Sequence, residues 1–263
     1  MMLNTRRSRR GEPERIHDLR ARDLLAGSQI LVACADADRT MSVAANRDLI
    51  VAGEHHAKIY IVRHGWLLRS RLLHDGRRQI VDFVLPGDIV GLEACLFGRS
   101  LYSIATITPA SLSVMPLDQV ERESARNPAF AKALLWSAVC RGAILGEHLV
   151  DAARRTAYER VGHLLLELFV RLRRADRADG MSFDLPLTQR NIGDALGLTT
   201  VHVNRTLRAL REDGLVSLVD RRATILDLAA LARLSDFERL YLGDDAPDQP
   251  HRPVPHRSLT SVP

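Results

Sequence analysis

LTQRNIGDALGLTTVHVNRTLRALREDGL, residues 187–215, contains two helical stretches separated by one glycine. Thr188 can cap a helix that places Ile192 and Leu196 four apart on its inner face and stops at Gly197. Gly193 lies four residues before that stop, where two helices crossing steeply leave no room for a larger side chain. Leu198 and Val203 fall at the apolar positions that pack the turn and the second helix. Glycine, apolar turn residue and buried valine at these offsets predict a helix-turn-helix.

The second helix opens on residues of mediocre helix propensity, two threonines, two valines and a histidine, before an ordinary arginine-rich amphipathic pattern takes over. In a helix-turn-helix, those first turns enter the major groove of DNA. Thr200, Val201, Asn204 and Arg205 are therefore expected to face base edges, with Thr199 as cap. Arg205 can bind guanine in bidentate fashion, Asn204 can pair with adenine or hold phosphate, and Val201 can press on a thymine methyl. His202 reads either as a phosphate contact or as a solvated side chain on the helix shoulder. Thr188 and Gln189 are expected at backbone phosphate. The run LVSLVDRRATILDL that follows reads as a hairpin wing, with Arg221 and Arg222 at the DNA backbone or simply in an exposed charged turn.

Between Ile30 and Leu117 short apolar runs, KIYIV, WLLRSRLL, RQIVDFVL and SIATIT, alternate with turn residues, and Gly53, Gly65, Gly76 and Gly87 recur at intervals of eleven or twelve. Even spacing of short strands predicts an antiparallel roll or sandwich. From Asn127 the period becomes helical, with Pro128 suited to a first turn. Gly142 and Gly146 weaken that helix unless a neighbouring backbone comes close, and a second copy of the chain is the expected neighbour, meeting it along Leu134, Ala138, Gly142, Leu145 and Leu149. Packing against its own roll is the alternative. A further helix, RRTAYERVGHLLLELFVRLRR, presents Val161, Leu164, Leu165, Leu168, Phe169 and Leu172 to a core.

The expected organisation is a basic disordered tail (1–24), an antiparallel β-roll effector domain (25–120), a dimerisation helix (121–152), a winged helix-turn-helix domain (153–242) and a proline-rich tail (243–263), an α+β fold. Composition, 46% hydrophobic and 26% charged, suits a globular chain of this length. No apolar run reads as a membrane span, and the arginine-rich start leads into Pro13 rather than an apolar signal core, so a cytoplasmic protein without membrane partners is expected. Cys34, Cys95 and Cys140 lie far apart without CxxC spacing, which predicts reduced thiols and no metal site. The net charge of +5 permits nucleic-acid binding without demanding it, and nearly all the positive charge is arginine, lysine occurring only at Lys58 and Lys132.

The order of parts, together with VAGEHHAKIYIVRHGWLLRSRLLHDGRRQIVDFVLPGDIVGLE and the helix-turn-helix quoted above, resembles the Crp/Fnr family of bacterial transcription regulators over residues 28–240. The resemblance implies a homodimer on a palindromic operator, with half-sites about one helical turn, roughly 34 Å, apart. It also implies contact with RNA polymerase if the protein activates. Many members of that family carry glutamate where Val201 stands, whereas Arg205 matches their guanine reader.

Members that bind cyclic AMP hold it with a glutamate on ribose and an arginine, followed by serine, on the cyclic phosphate. In PGDIVGLEACLFGRSLYSIAT the matching positions are Leu92 and Tyr102, before Ser103, so both ligands are missing and cyclic AMP is not expected. A shifted register could use Glu93 and Arg99 in a pocket with Gly91. The N-terminal cysteines of iron-sulfur relatives are also missing, since no cysteine precedes Cys34. Haem is not expected either, as His55, His56, His64 and His74 read as solvated turn residues. The effector stays open, with thiol oxidation at Cys95 or Cys34 or control by abundance as the other options. No phosphate loop, paired metal-ligand motif or nucleophile elbow points to an enzyme with catalytic residues. The remaining rival is a regulatory module whose winged helix docks a protein partner.

Overall fold

The structure, a computed structural model, describes residues 39–243. The tail at 1–24, Cys34 and the proline-rich segment from 244 onward lie outside the described residues. The N-terminal half is a β-roll of two four-stranded antiparallel sheets. Its strands are β1 (Thr40–Val43), β2 (Asp48–Ile50), β3 (Lys58–His64), β4 (Leu67–Leu72), β5 (Arg78–Val84), β6 (Ile89–Val90), β7 (Ser103–Thr106) and β8 (Ala110–Pro116). One sheet runs β1-β8-β3-β6 and the other β2-β7-β4-β5. All four glycines of the expected turn series take positive φ, from 83° to 96°. At Gly65 a Cβ would also overlap the Pro109 carbonyl, so no other residue fits there without movement.

The middle of strand β3, Ile59–Val62, is buried on both sides because both of its faces are covered. Tyr60 and Val62 point into the space between the sheets with Leu67, Val84, Ile104 and Leu112. Ile59 and Ile61 point outward and meet Phe130, Ala133 and Leu134 of the long helix. The second sheet is covered too, with Trp66, Leu68, Ile80 and Phe83 joining one cluster with Leu164, Leu165, Phe169, Phe183 and Ile192 of the C-terminal half.

The chain between the two halves departs from the expected single helix over 121–152. A helix α1 (Leu92–Phe97) lies within the roll, α2 covers Leu117–Arg126, and α3 runs Pro128–Arg154. The break is local chemistry: Asn127 is extended (φ −124°, ψ 94°), its side chain accepts from the amides of Ala129 and Phe130, and Pro128 occupies the first turn. By length and composition alone α3 is apolar enough to cross a membrane, an 18-residue window within its 27 residues reaching a mean hydropathy of 1.3, which the expectation of no membrane span did not foresee. In this fold its Phe130, Ala133 and Leu134 pack on the roll, and Arg141 bonds Glu93 of α1.

Helix α4 (Ala157–Arg174) starts on a reciprocal capping box between Thr156 and Glu159. After α4 the chain forms a hairpin of β9 (Ala178–Asp179) and β10 (Ser182–Asp184). After α5 (Gln189–Leu196) and α6 (Thr200–Glu212) come β11 (Val216–Val219) and β12 (Arg222–Ile225), completing a sheet of order β11-β12-β10-β9. Helix α7 (Leu228–Leu234) and a short turn of helix at Leu240–Leu242 end the described chain.

The two halves are tied by a buried charge cluster. Arg171 of α4 donates to Asp82 (3.3 Å) on β5, to Asp88 (2.7 Å), to Glu167 (2.9 Å) and to the Phe83 carbonyl (2.8 Å). Glu167 also pairs with His148 of α3 at 2.8 Å. Burial alone would raise the Glu167 carboxyl, but His148 and Arg171 outweigh it and hold the pKa down at about 2. For His148, burial opposes the charge, and the Glu167 carboxylate overrides it, raising the pKa to about 9. The stabilisation from His148 is complete below its unfolded pKa of 6.5 and is lost as pH rises through about 9. The contribution of Glu167 is present above 4.5 and is lost as pH falls towards about 2. Thermal unfolding across pH should therefore show a decline on the alkaline side, on the order of 2 kcal/mol. His148→Gln should flatten that decline and also shrink the acid limb, because His148 contributes more than Arg171 to holding the Glu167 carboxyl down.

Candidate nucleic-acid interface

Helices α5 and α6 are built from their caps inward. The Thr188 hydroxyl accepts from the Asn191 amide (3.1 Å), and the Asn191 side chain accepts from the Thr188 amide (3.0 Å). Gly197 ends α5 in the left-handed region at φ 67°. Leu198 then donates to the Gly193 carbonyl at 3.0 Å, and a Cβ on Gly193 would lie 2.5 Å from the Leu198 oxygen. The turn thus passes directly over Gly193, as its spacing implied. Thr199 caps α6 by accepting from the His202 amide at 3.2 Å.

Val203, Thr206, Leu207 and Leu210 form the buried face of α6. Thr200, Val201, His202, Asn204 and Arg205 are exposed, Val201 by 68%. Among the described residues, no hydrogen bond or ion pair engages the side chains of Asn204 and Arg205. A β-branched apolar residue and two polar ones thus stand in solvent with no packing role within the chain. Arg208, one turn beyond Asn204, is exposed on the same side and pairs with Glu212 at 2.7 Å. Arg190, next to the exposed Gln189, is equally accessible. Neither arginine stood out in the sequence, although the step of four from Asn204 to Arg208 was there to be read.

The wing turns through Asp220 (φ 49°) and Arg221 (φ 59°), two successive left-handed residues, which is the twist a two-residue hairpin needs. The Arg221 side chain is exposed. Arg222 instead binds Asp179 (3.2 Å) and Asp184 (3.6 Å) on the neighbouring strands, so the two arginines differ in what they can offer a phosphate. The hydroxyl of Thr188 is likewise engaged in its cap.

In the roll, Gly91 (φ 92°) and Gly98 (φ 74°) bracket α1. Leu92 packs on the Ile59–Ile89 cluster, Glu93 is buried between Arg69 (3.5 Å) and Arg141 (3.4 Å), and Arg99 donates to the Gly53 carbonyl at 2.8 Å. Tyr102 is half-buried, and the Ser103 hydroxyl accepts from the Ala52 amide. The four histidines do not converge: His55 meets the Gly98 carbonyl, His56 lies against the Tyr60 ring, His64 bonds Arg177, and His74 is exposed. Burial raises the Cys95 thiol, with the Glu93 charge adding to it, and burial pushes Cys140 up to about 11, which suppresses thiolate at both.

Along α3, Leu134 is buried against its own roll, and Ala138 and Leu145 are half-buried. The exposed stripe is rotated by one position: Leu135 (64%), Val139 (58%), Gly142, Gly146 and Leu149 (69%), at alternating steps of four and three. A Cβ on Gly142 or Gly146 would meet nothing within 4 Å.

Comparison with known proteins gives two sequence-family matches, a Crp-like helix-turn-helix domain over residues 159–234 and a cyclic nucleotide-binding domain over residues 40–127. The chain is 33% identical over 192 residues to the nitrogen fixation regulation protein FixK of Azorhizobium caulinodans, covering 73% of this chain and 77% of that one. It is 29% identical over 212 residues to the transcriptional activator protein FnrL of Cereibacter sphaeroides, covering 78% and 81%. The solved structure of FixK2 from Bradyrhizobium japonicum superposes with a TM-score of 0.68 at 29% identity, covering 76% of this chain and 98% of that one.

Gly193→Ala should cost about 1–3 kcal/mol, because the displaced atom is the backbone oxygen of the turn and cannot rotate away. Urea unfolding measures it, and the loss should exceed that for alanine at exposed Gly142.

Proposed function

The chain belongs to the Crp/Fnr family of transcription regulators, and from that premise we propose that two copies coupled along α3 read a two-fold symmetric operator, one α6 in each of two successive major grooves. The observation that carries this reading is the solvent-exposed, unpartnered face of Thr200, Val201, Asn204 and Arg205 at the start of α6. Arg205 serves as the bidentate guanine reader, Asn204 contacts adenine or phosphate, and Val201 meets a thymine methyl where a glutamate would select cytosine. Gln189, Arg190, Thr199, His202, Arg208 and Arg221 surround that face as phosphate contacts that set register without reading sequence.

The stripe of Leu135, Val139, Gly142, Gly146 and Leu149 supports the pairing of copies, the glycines allowing two backbones to approach. This puts Leu135 in place of Leu134 at the start of the expected seam, with Val139 and Gly146 in place of Ala138 and Leu145. Glu93 and Arg99, the charged groups nearest the nucleotide cassette, are spent on partners in the same chain, which supports a regulator that does not respond to cyclic AMP. At a promoter, an activating dimer of this kind would also touch RNA polymerase. Docking of a protein partner through the winged helix fits less well, because the exposed face of α6 is polar and cationic with Val201 as its single large apolar residue.

Selection of bound sequences with Arg205→Ala should show one base position relaxed and affinity lowered by about 1–3 kcal/mol, and an unchanged preference would reject the assignment. Val139→Asp should give monomers by light scattering and abolish the gel shift at protein concentrations where wild type binds, with thermal stability of the single chain retained.

A further inference from the structure

We propose that Phe237 and Tyr241 are positioning residues for DNA binding: the segment 236–242 is a strap that closes over the joint between α3 and α4, and it sets how far apart two copies of α6 fall. This rests on the reading of paired copies at a two-fold operator. The strap lies past the residues that match the Crp-like helix-turn-helix domain, which end at 234.

The joint itself is short. Only Arg155 and Thr156 separate the two helices, both extended, at ψ 146° and 165°. Small rotations at either residue would swing α4, and with it α5 and α6, about the end of α3. Side chains therefore have to fix the angle. Arg155 does part of this, donating to Asp151 (2.8 Å) and Glu147 (3.1 Å) on α3 and to the Asp236 carbonyl (3.0 Å) where the strap begins.

The strap turns back at that point because α7 ends in a Schellman turn. Asp236 takes the left-handed conformation (φ 47°), and the Phe237 amide donates to the Ala232 carbonyl at 2.9 Å. Ser235, fully buried, sits against α4 at Gly162, where a Cβ would overlap its hydroxyl. The next residue of α4 is His163, also fully buried. Its ring nitrogens lie 3.2 Å from Asp151 and 3.8 Å from Glu147, both on α3. The ring packs edge-on to Phe237, with centroids 5.1 Å apart, and stacks on Tyr241 at 5.7 Å. This imidazole of α4 thus takes its charged neighbours from α3 and its aromatic neighbours from the strap. Ring pairs prefer defined geometries, so three rings in contact resist a rotation that a plain apolar surface would allow. The Tyr241 hydroxyl also donates to Glu167 (3.4 Å). Leu242 reaches α3 on the side of Cys140 and Ile144, away from Leu135 and Val139, so loosening the strap leaves the pairing of copies intact.

The test uses the full chain on operators that differ only in half-site separation. Wild type should prefer one separation over its neighbours by about tenfold, and Phe237→Ala combined with Tyr241→Ala should flatten that to about twofold with the base preference inside each half-site unchanged. Tyr241→Phe, which keeps the ring, should hold the sharp preference. A double variant as selective for separation as wild type overturns the proposal, and so does an altered base preference, which would mean that α6 itself was disturbed. Hydrogen exchange without DNA is the second arm: the amides of residues 150–156 should exchange about tenfold faster in the double variant and at the wild-type rate in Tyr241→Phe. Should the double variant fail to fold, Tyr241→Ala alone is compared with Tyr241→Phe in both arms. If wild type prefers no two-fold duplex, the DNA reading fails and the exchange arm decides the strap by itself, with unchanged exchange overturning it.

Discussion

Arg171 lies almost out of contact with water and is satisfied from four directions, by Asp82, Asp88, Glu167 and the carbonyl of Phe83. A buried guanidinium in that position demands its carboxylates, because one left unmatched costs about 3–5 kcal/mol. Two of them come from the β-roll and one from α4 itself, and Glu167 passes the constraint on to His148 of α3. Roll, long helix and DNA-binding half are therefore held in one arrangement by groups that cannot be moved singly. Dispersion and burial around Phe169, Phe83 and Leu165 supply most of the cohesion, but apolar contacts are non-directional and would tolerate a small slide. The fixed geometry of the ion cluster does not.

That arrangement places α6. Additional contacts set the angle between the halves: Arg78 of β5 bonds Asp194 of α5 at 2.9 Å, and Gln79 donates to the Ala195 carbonyl at 2.9 Å. Helix α5 is thus held from the roll side while its Gly193 admits the turn into α6. Within α6 the division of labour is plain. Val203, Leu207 and Leu210 anchor the helix, leaving its first turn free to carry residues that a helix would not select, each a few tenths of a kcal/mol less favourable than alanine. Thr199 returns part of that through its cap.

The helix-turn-helix was legible because its determinants are short-range. A cap at Thr188, a glycine under a turn and a valine six residues after another glycine are relations within one supersecondary unit. The roll was legible for the same reason, its turns being marked by residues that tolerate positive φ. The break at Asn127 was half-legible: Pro128 announced a start, while the helical pattern on both sides concealed the stop. The β9–β10 hairpin leaves no periodic signature in the sequence because its strands have two and three residues, too short for any period to register.

Sequence alone thus determined the caps and turn of the helix-turn-helix, the glycine turns of the roll and which residues at the start of α6 stand exposed, since each follows from the conformational preferences of residues a few positions apart. Tertiary structure alone decided that Arg222 is spent on Asp179 and Asp184 while Arg221 is free, and that Leu135 rather than Leu134 leads the exposed stripe of α3. It also decided that Glu93 closes on Arg69 and Arg141, and that Asp82 meets Arg171 across 89 residues of chain. Charge pairing and burial depend on which distant surfaces come together, and no local pattern records that.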